Sequence, residues 1–447
     1  MELIIKISQF ILSLSLLIIL HESGHFFFAK LFKTRVEKFY LFFDAWGKKL
    51  FKFKKGETEY GIGWLPLGGY VKISGMIDES MDKEQLKKPP QPWEFRSKPA
   101  WQRLLIMLGG VTVNFILAIV IYIGLAYFYG DKYLPNNDLK DGIMVTDSIG
   151  YKLGLENGDK ILKVDNETIK KFSDIQLKIL FGKKMTINRH DTIKTIDIPA
   201  NFISQIIDAK QKQFIGLRYP FVIGSILKTS PNVNRGLKLK DQILAINNIP
   251  TSYFDQAETI LQKYKGQEVP VKVKRGNKIK LLNLVISNKG KLGVGLYPFT
   301  LSDLQKLKIY KIETKDYSLL QSFPVGLHKS KEKMLSYVKQ LKAIFNPSTG
   351  AYKGVGGFIA IGSIFPSQWN WQVFWSITAF LSLILGFMNL LPIPALDGGH
   401  VMFTLFEIIT RKKPSDKFLE YAQIAGFIIL IALLLFANGN DIYKLFK

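Results

Sequence analysis

Four apolar runs, each long enough to cross a bilayer, constrain this 447-residue chain more than any other feature, because about 20 such residues make one helical span. The first runs from Ile7 to about Ala29 and the second from Leu104 to Tyr129. The third runs from Val373 to Leu391, and the fourth from Ile424 to Phe436, extending back through Tyr421 and Ala422. Trp369, Trp371 and Trp375 precede the third run like an interfacial aromatic belt. Charge is distributed to match. Lys and Arg number 61 against 36 acidic residues. Residues 30–103 carry 16 of the basic ones, and the short 392–419 loop carries Arg411, Lys412, Lys413 and Lys417. The positive-inside rule puts both loops inside, with the termini and the long 130–370 region outside. The net charge of +25 is therefore topological: the expected partner is a lipid bilayer, and no nucleic acid is expected. The absence of cysteine excludes disulfide scaffolds, thiolate metal sites and cysteine catalysis.

The first run is not a discarded signal peptide. It lacks a small-residue cleavage site, and it carries His21-Glu22-Ser-Gly-His25. On a helix, residues i and i+4 share a face, so both imidazoles can meet one Zn2+ ion. Glu22, one residue along, is placed to take a proton from a water activated by the metal. Ionisable groups inside a span point to function. With the span centred near residue 18 and a rise of about 1.5 Å per residue, both histidines lie within the apolar thickness, toward the inside face.

Two histidines leave a catalytic zinc one protein ligand short. Topology favours Asp397 as the third. With 130–370 outside, the third span runs parallel to the first and ends in Asn389-Leu-Leu-Pro392-Ile-Pro394-Ala-Leu-Asp397-Gly-Gly-His400, where two prolines break the helix and bring Asp397 to the depth of His25. Glu37 and His400 are the alternatives.

The external region repeats with a period of 82 residues. Gly142 falls on Gly224, Gly154-Leu155 on Gly236-Leu237, Asp159 on Asp241, and Asn166 on Asn248. Leu153-Gly-Leu-Glu-Asn-Gly-Asp-Lys-Ile-Leu162 resembles the PDZ signature, as does the second copy, with Lys240 where Gly is usual. That resemblance implies two small β-sandwiches whose grooves bind an extended peptide by strand addition or which act only as a size filter.

The His-Glu-x-x-His motif in the first span, with Asn-x-x-Pro-x-Pro-x-Leu-Asp-Gly at the end of the third, resembles the site-2 protease family of intramembrane zinc metalloproteases. Four spans with a PDZ pair in the middle resemble its regulator-of-sigma-E branch. The resemblance implies one zinc per chain on His21, His25 and Asp397, Glu22 as catalytic base, and Asn389 close to substrate. Gly110-Val-Thr-Val-Asn114 resembles the family's Gly-x-x-x-Asn element and makes Asn114 a further substrate-binding candidate. Residues 60–76, apolar and glycine-rich, resemble its membrane-re-entrant β-hairpin, whose edge at Gly69, Tyr70 and Val71 would pair with an unwound substrate.

The fold expected is thus an α-helical polytopic membrane protein with four transmembrane helices and a re-entrant β-hairpin, plus two extracytoplasmic PDZ-like β-sandwich domains. Its segments are 1–129, 130–218, 219–300, an amphipathic interfacial linker at 301–370, and 371–447. The implied activity is that of a zinc metalloendopeptidase of regulated intramembrane proteolysis in a bacterial inner membrane. Its substrates would be truncated single-span proteins such as anti-sigma factors or signal-peptide remnants. The competing reading is a non-catalytic membrane-anchored PDZ adaptor, which would need none of His21, Glu22, His25 and Asp397.

Overall fold

A helix in lipid meets all its backbone hydrogen bonds internally, and among the described residues four helices are long and apolar enough to cross a membrane. The structure, a computed structural model, describes residues 1–66, 68–76, 89–210 and 213–446. Two compact units result. One comprises Met1–Gly130, Asp316–Lys342 and Val355–Lys447; the other comprises Asp131–Lys315 and Ala343–Gly354.

In the first unit α1 (Glu2–Leu31) is followed by strands β1 (Val36–Leu41), β2 (Lys49–Lys55), β3 (Thr58–Gly63) and β4 (Tyr70–Ile73), then by α2 (Ala100–Tyr129). Downstream come α3 (Leu319–Phe345), α4 (Trp371–Asn389), α5 (Asp397–Thr410) and α6 (Asp416–Leu445). The long helices are tied by polar bonds as well as by packing. Ser13 Oγ and Thr378 Oγ1 share a hydrogen bond at 2.9 Å between α1 and α4. Ser382 Oγ donates to the Asn114 carbonyl at 2.8 Å between α4 and α2, beside a core of Ala118, Tyr122, Ala379 and Leu383. The amphipathic α3 sets Tyr337 edge-on to Phe380 and Phe387 of α4. Near the end of α6, Asp441 accepts from the backbone N–H groups of Gly357 and Ala360 at 2.9 and 3.0 Å, holding the start of the short helix that leads toward α4.

The sheet corrects one expectation. A hairpin within 60–76 would pair β3 with β4, yet the strand order is β2-β3-β1-β4; Leu67 of that segment lies outside the described residues. β1 runs parallel to β3 and antiparallel to β4. With Val36 and Tyr40 fully buried, β1 offers both of its edges and takes the central place, leaving β4 as an edge strand.

The second unit contains the two repeats, each built the same way. The first has a four-stranded sheet in the order Thr192–Asp197, Lys184–Arg189, Lys160–Val164, Glu167–Thr168, and a separate pair, Ile143–Val145 with Ile215–Leu217. The second has Ile249–Pro250, Gln242–Ile246, Glu268–Arg275, Lys278–Val285, and the pair Ile223–Ile226 with Val294–Leu296. Each closes over its own apolar core. Both copies also contain an ion pair that the 82-residue alignment does not show. Arg189 grips Asp159 through two bonds of 2.7 Å, and Arg275 grips Asp241 at 2.7 and 2.6 Å. The two carboxylates are 1% and 0% exposed. The arginines escape the alignment because they stand 86 rather than 82 residues apart, Arg189 to Arg275. Arg218, at the end of the first repeat, pairs with Asp255 of the second at 2.7 Å and joins the two.

Burial alone would raise the Asp241 carboxyl, but the Arg275 bonds and the Lys238 N–H hold it below the usual range. A depressed carboxyl stabilises the fold above its unfolded value of about 3.9 and loses that contribution as pH falls through the folded value. Arg275→Met is expected to cost on the order of 3 kcal/mol, since it strands a buried carboxylate. Thermal unfolding followed at neutral pH and below about pH 4 checks this: the gap between parent and variant should narrow in acid.

Candidate metal centre

The site begins with helix geometry. His21 and His25, one turn apart on α1, set their rings edge to face with centroids 4.9 Å apart and their Nε2 atoms 3.3 Å apart. Opposite them, α4 stops at Asn389 and α5 starts at Asp397. The intervening Pro392 and Pro394 cannot continue a helix, so the chain turns back there. Asp397 Oδ2 lies 3.3 Å from each Nε2.

This equilateral group fits zinc. Bonds of about 2.0–2.1 Å at a tetrahedral angle separate ligand atoms by about 3.3–3.4 Å. Asp397 Oδ2 is buried and accepts no hydrogen bond from the protein, as suits an atom facing a cation. His25 Nδ1 lies 2.8 Å from the Ile106 carbonyl. A carbonyl only accepts, so Nδ1 carries the proton and Nε2 keeps its lone pair toward the triangle.

Such closeness between α1 and α2 requires the absence of side chains. A Cβ on Gly24 would lie 2.3 Å from the Gly109 carbonyl oxygen, and one on Gly110 would lie 2.4 Å from His25 Nε2. Small residues let membrane helices approach in this way. One turn beyond Gly110, the Asn114 side-chain amide stands 2.9 Å from His21 Nδ1, and Asn389 stands 3.3 Å from His21 Nε2. Both asparagines therefore meet a histidine, and neither is among the residues lining the adjacent cavity.

That cavity, about 530 Å³, is lined by His21, Glu22, His25 and Asp397 together with Gly69, Tyr70 and Val71. The Val71 backbone N–H donates to the Glu22 carboxylate, so the side of β4 away from β1 faces the site. Tyr70 Oη donates to Asp44 at 2.8 Å. Burial and this bond push the Tyr70 hydroxyl well above the usual range, keeping it neutral. Of the alternative ligands, Glu37 accepts from Ser74 Oγ at 2.8 Å and pairs with Lys72, outside the three-residue group, and His400 lines the cavity one turn after Asp397. Sequence reasoning missed the Ile106 carbonyl and the Tyr70–Asp44 pair. A backbone acceptor leaves no residue signature, and Asp44 lies in an unremarked loop.

Comparison with known proteins agrees in kind. The profile described as peptidase family M50 matches residues 9–433. The chain is 28% identical over 469 residues to the regulator of sigma E protease of Haemophilus influenzae, covering 98% of this chain and 99% of that one. It is 30% identical over 450 residues to a Rickettsia conorii protein named as a zinc metalloprotease, covering 99% and 100%. A Clostridium perfringens protein named likewise is 28% identical, covering 97% of each.

Gly110→Ala drives a methyl into the histidine pair and is expected to abolish stoichiometric zinc binding, while Gly124→Ala, on the same helix with nothing within 4 Å of its added Cβ, keeps it. Metal content of the two purified variants checks the contrast.

Proposed function

The chain belongs to peptidase family M50, and from that membership we propose that it cuts peptide bonds inside the transmembrane segments of single-span proteins already trimmed on their outer side, such as anti-sigma factors and signal-peptide remnants. It is a zinc metalloprotease of the inner membrane, multi-pass and acting within the bilayer. The finer assignments that follow are our reading. His21, His25 and Asp397 hold the zinc, Glu22 is the catalytic base, and the basic loops face the cytoplasm. The two repeats are extracytoplasmic PDZ-like domains that restrict which substrates reach the site.

The observation that carries the reading is the 3.3 Å triangle opening onto the same cavity as Glu22 and the outer edge of β4. A helical substrate hides its carbonyls, so a segment must unwind to be cut. An unwound segment needs partners for its backbone at membrane depth, and the edge at Gly69, Tyr70 and Val71 supplies them by strand addition.

Zinc, when bound, supplies Lewis acidity to water and to the scissile carbonyl. Glu22 takes a proton from the attacking water and returns it to the leaving nitrogen. The Val71 N–H holds the Glu22 carboxylate facing the cavity. The Ile106 carbonyl fixes the tautomer of His25. Asn114 does the same for His21 with its amide turned so that Oδ1, in place of the Nδ2 that stands at Nδ1, accepts the Nδ1 proton, the orientation that leaves Nε2 free. Asn389, beside His21 Nε2, is the residue we assign to the substrate carbonyl. An adaptor would need none of these groups.

Glu22→Gln is expected to retain one zinc per chain and lose cleavage of a truncated single-span substrate in detergent. Asp397→Ala should lose both, and His400→Ala should be milder. Turnover by Glu22→Gln at the parent rate would sink the assignment of the base.

A further inference from the structure

The last span, α6, carries two buried polar residues among those described: Asp441 near its end, which holds the short helix before α4, and Gln423 nearer its start. Gln423 is 5% exposed and lines the cavity that holds the metal group. Its Oε1 accepts the Ala395 backbone N–H at 3.1 Å. Ala395 lies in the turn between α4 and α5, two residues before Asp397, and has φ of +75°. L side chains rarely adopt that conformation, and it persists only where surroundings enforce it.

The rest of the turn is held by its own backbone. Ile393 N–H donates to the Leu391 carbonyl at 2.7 Å, and Leu396 N–H to the Ile393 carbonyl at 3.1 Å. The Ala395 N–H instead depends on Gln423. Three residues along the same helix, Gly426 abuts Pro394 so closely that a Cβ would lie 1.8 Å from its carbonyl oxygen. The turn thus sits against α6, with an acceptor at one point and a bare backbone at the next. Ala395 is itself buried, so without that acceptor its N–H loses its protein partner and the strained turn loses its constraint.

We infer that Gln423 is a positioning residue of the metal centre: together with Gly426 it holds the Pro394–Ala395 turn in the one conformation that delivers Asp397 to His21 and His25. The inference rests on the reading of Asp397 as a zinc ligand. The fourth span is then a template for the site, although neither Gln423 nor Gly426 touches the metal ligands' donor atoms.

The test uses the full chain in detergent micelles, with two readouts besides activity: zinc affinity by chelator competition, and the visible absorption of the Co2+-loaded protein, which reports ligand geometry. Gln423→Met keeps the shape and removes the acceptor. It is expected to weaken zinc by about 10–100-fold, the usual effect of losing an outer partner of a ligand, and to shift the Co2+ spectrum. Gln423→Glu retains an acceptor oxygen and should restore most of the affinity and the parent spectrum. Gly426→Ala should repeat the loss through Pro394, and it carries the test if Gln423→Met is not recovered folded.

Gln9→Met is the control for general loosening. It removes another buried amide, bonded at 2.8 Å to the Pro366 carbonyl, away from the turn, and should change neither readout. Parent-like affinity and spectrum in Gln423→Met and Gly426→Ala overturn the proposal, as does an equal loss in Gln9→Met. Asp397→Ala separates the two layers: if it keeps zinc, the ligand reading fails; if it loses zinc while Gln423→Met does not, only the positioning role fails.

Discussion

The core of a bilayer has no water to offer a polar group, so polar atoms brought to membrane depth must be met by another part of the chain. That constraint organises the first unit. Two imidazoles and two carboxylates stand among apolar helices, and the atoms around them are committed to each other. The Ile106 carbonyl meets His25, the Asn114 amide meets His21, and the Val71 N–H meets Glu22. The approach of α1 to α2 at Gly24, Gly109 and Gly110 follows from the same requirement, because a carbonyl on one helix reaches an imidazole on the next only where backbones nearly touch. The Ser13–Thr378 and Ser382–Asn114 bonds then fix α4 against both, so that α4 ends beside the histidines.

Irregular backbone at this depth is tolerated only where it lines a cavity or is buried in protein, and both irregular segments here obey that rule. The edge of β4 lines the cavity beside Glu22. In the turn before α5, Ala395 is buried and Pro394 lies against Gly426 of α6. The two features differ in kind: the edge at Gly69, Tyr70 and Val71 borders the cavity, while the Ala395 N–H of the turn is met by Gln423. An edge strand is ordinarily a liability that proteins cover. Here Gly69, Tyr70 and Val71 at that edge line the cavity.

The second unit uses different means. Each repeat buries its own apolar core and locks it with a bidentate Asp–Arg pair, an arrangement that pays off only where both partners are fully bonded. Tyr310 Oη donates to the Arg218 carbonyl at 2.7 Å while the Arg218 guanidinium reaches Asp255, so the repeats are joined by charge and hydrogen bonds rather than by a flexible linker.

The sequence by itself determined the spans and most of the metal group. Apolar runs report membrane helices because length and composition are local properties. His21 and His25 report a shared ligand face because helical period is local too. Asp397 was legible at long range only because charge asymmetry oriented the third span parallel to the first and because its motif lay at the right end. What the tertiary structure decided is whatever depends on which faces meet. No local pattern places β1 between β3 and β4, since pairing order is set by competition among strands for edges. None aims Asn114 at His21, turns the Val71 N–H toward Glu22, or sets Gln423 under Ala395. Each of these joins residues separated by tens or hundreds of positions, through backbone atoms or a single amide, and such pairings leave no period, spacing or composition for a sequence to display.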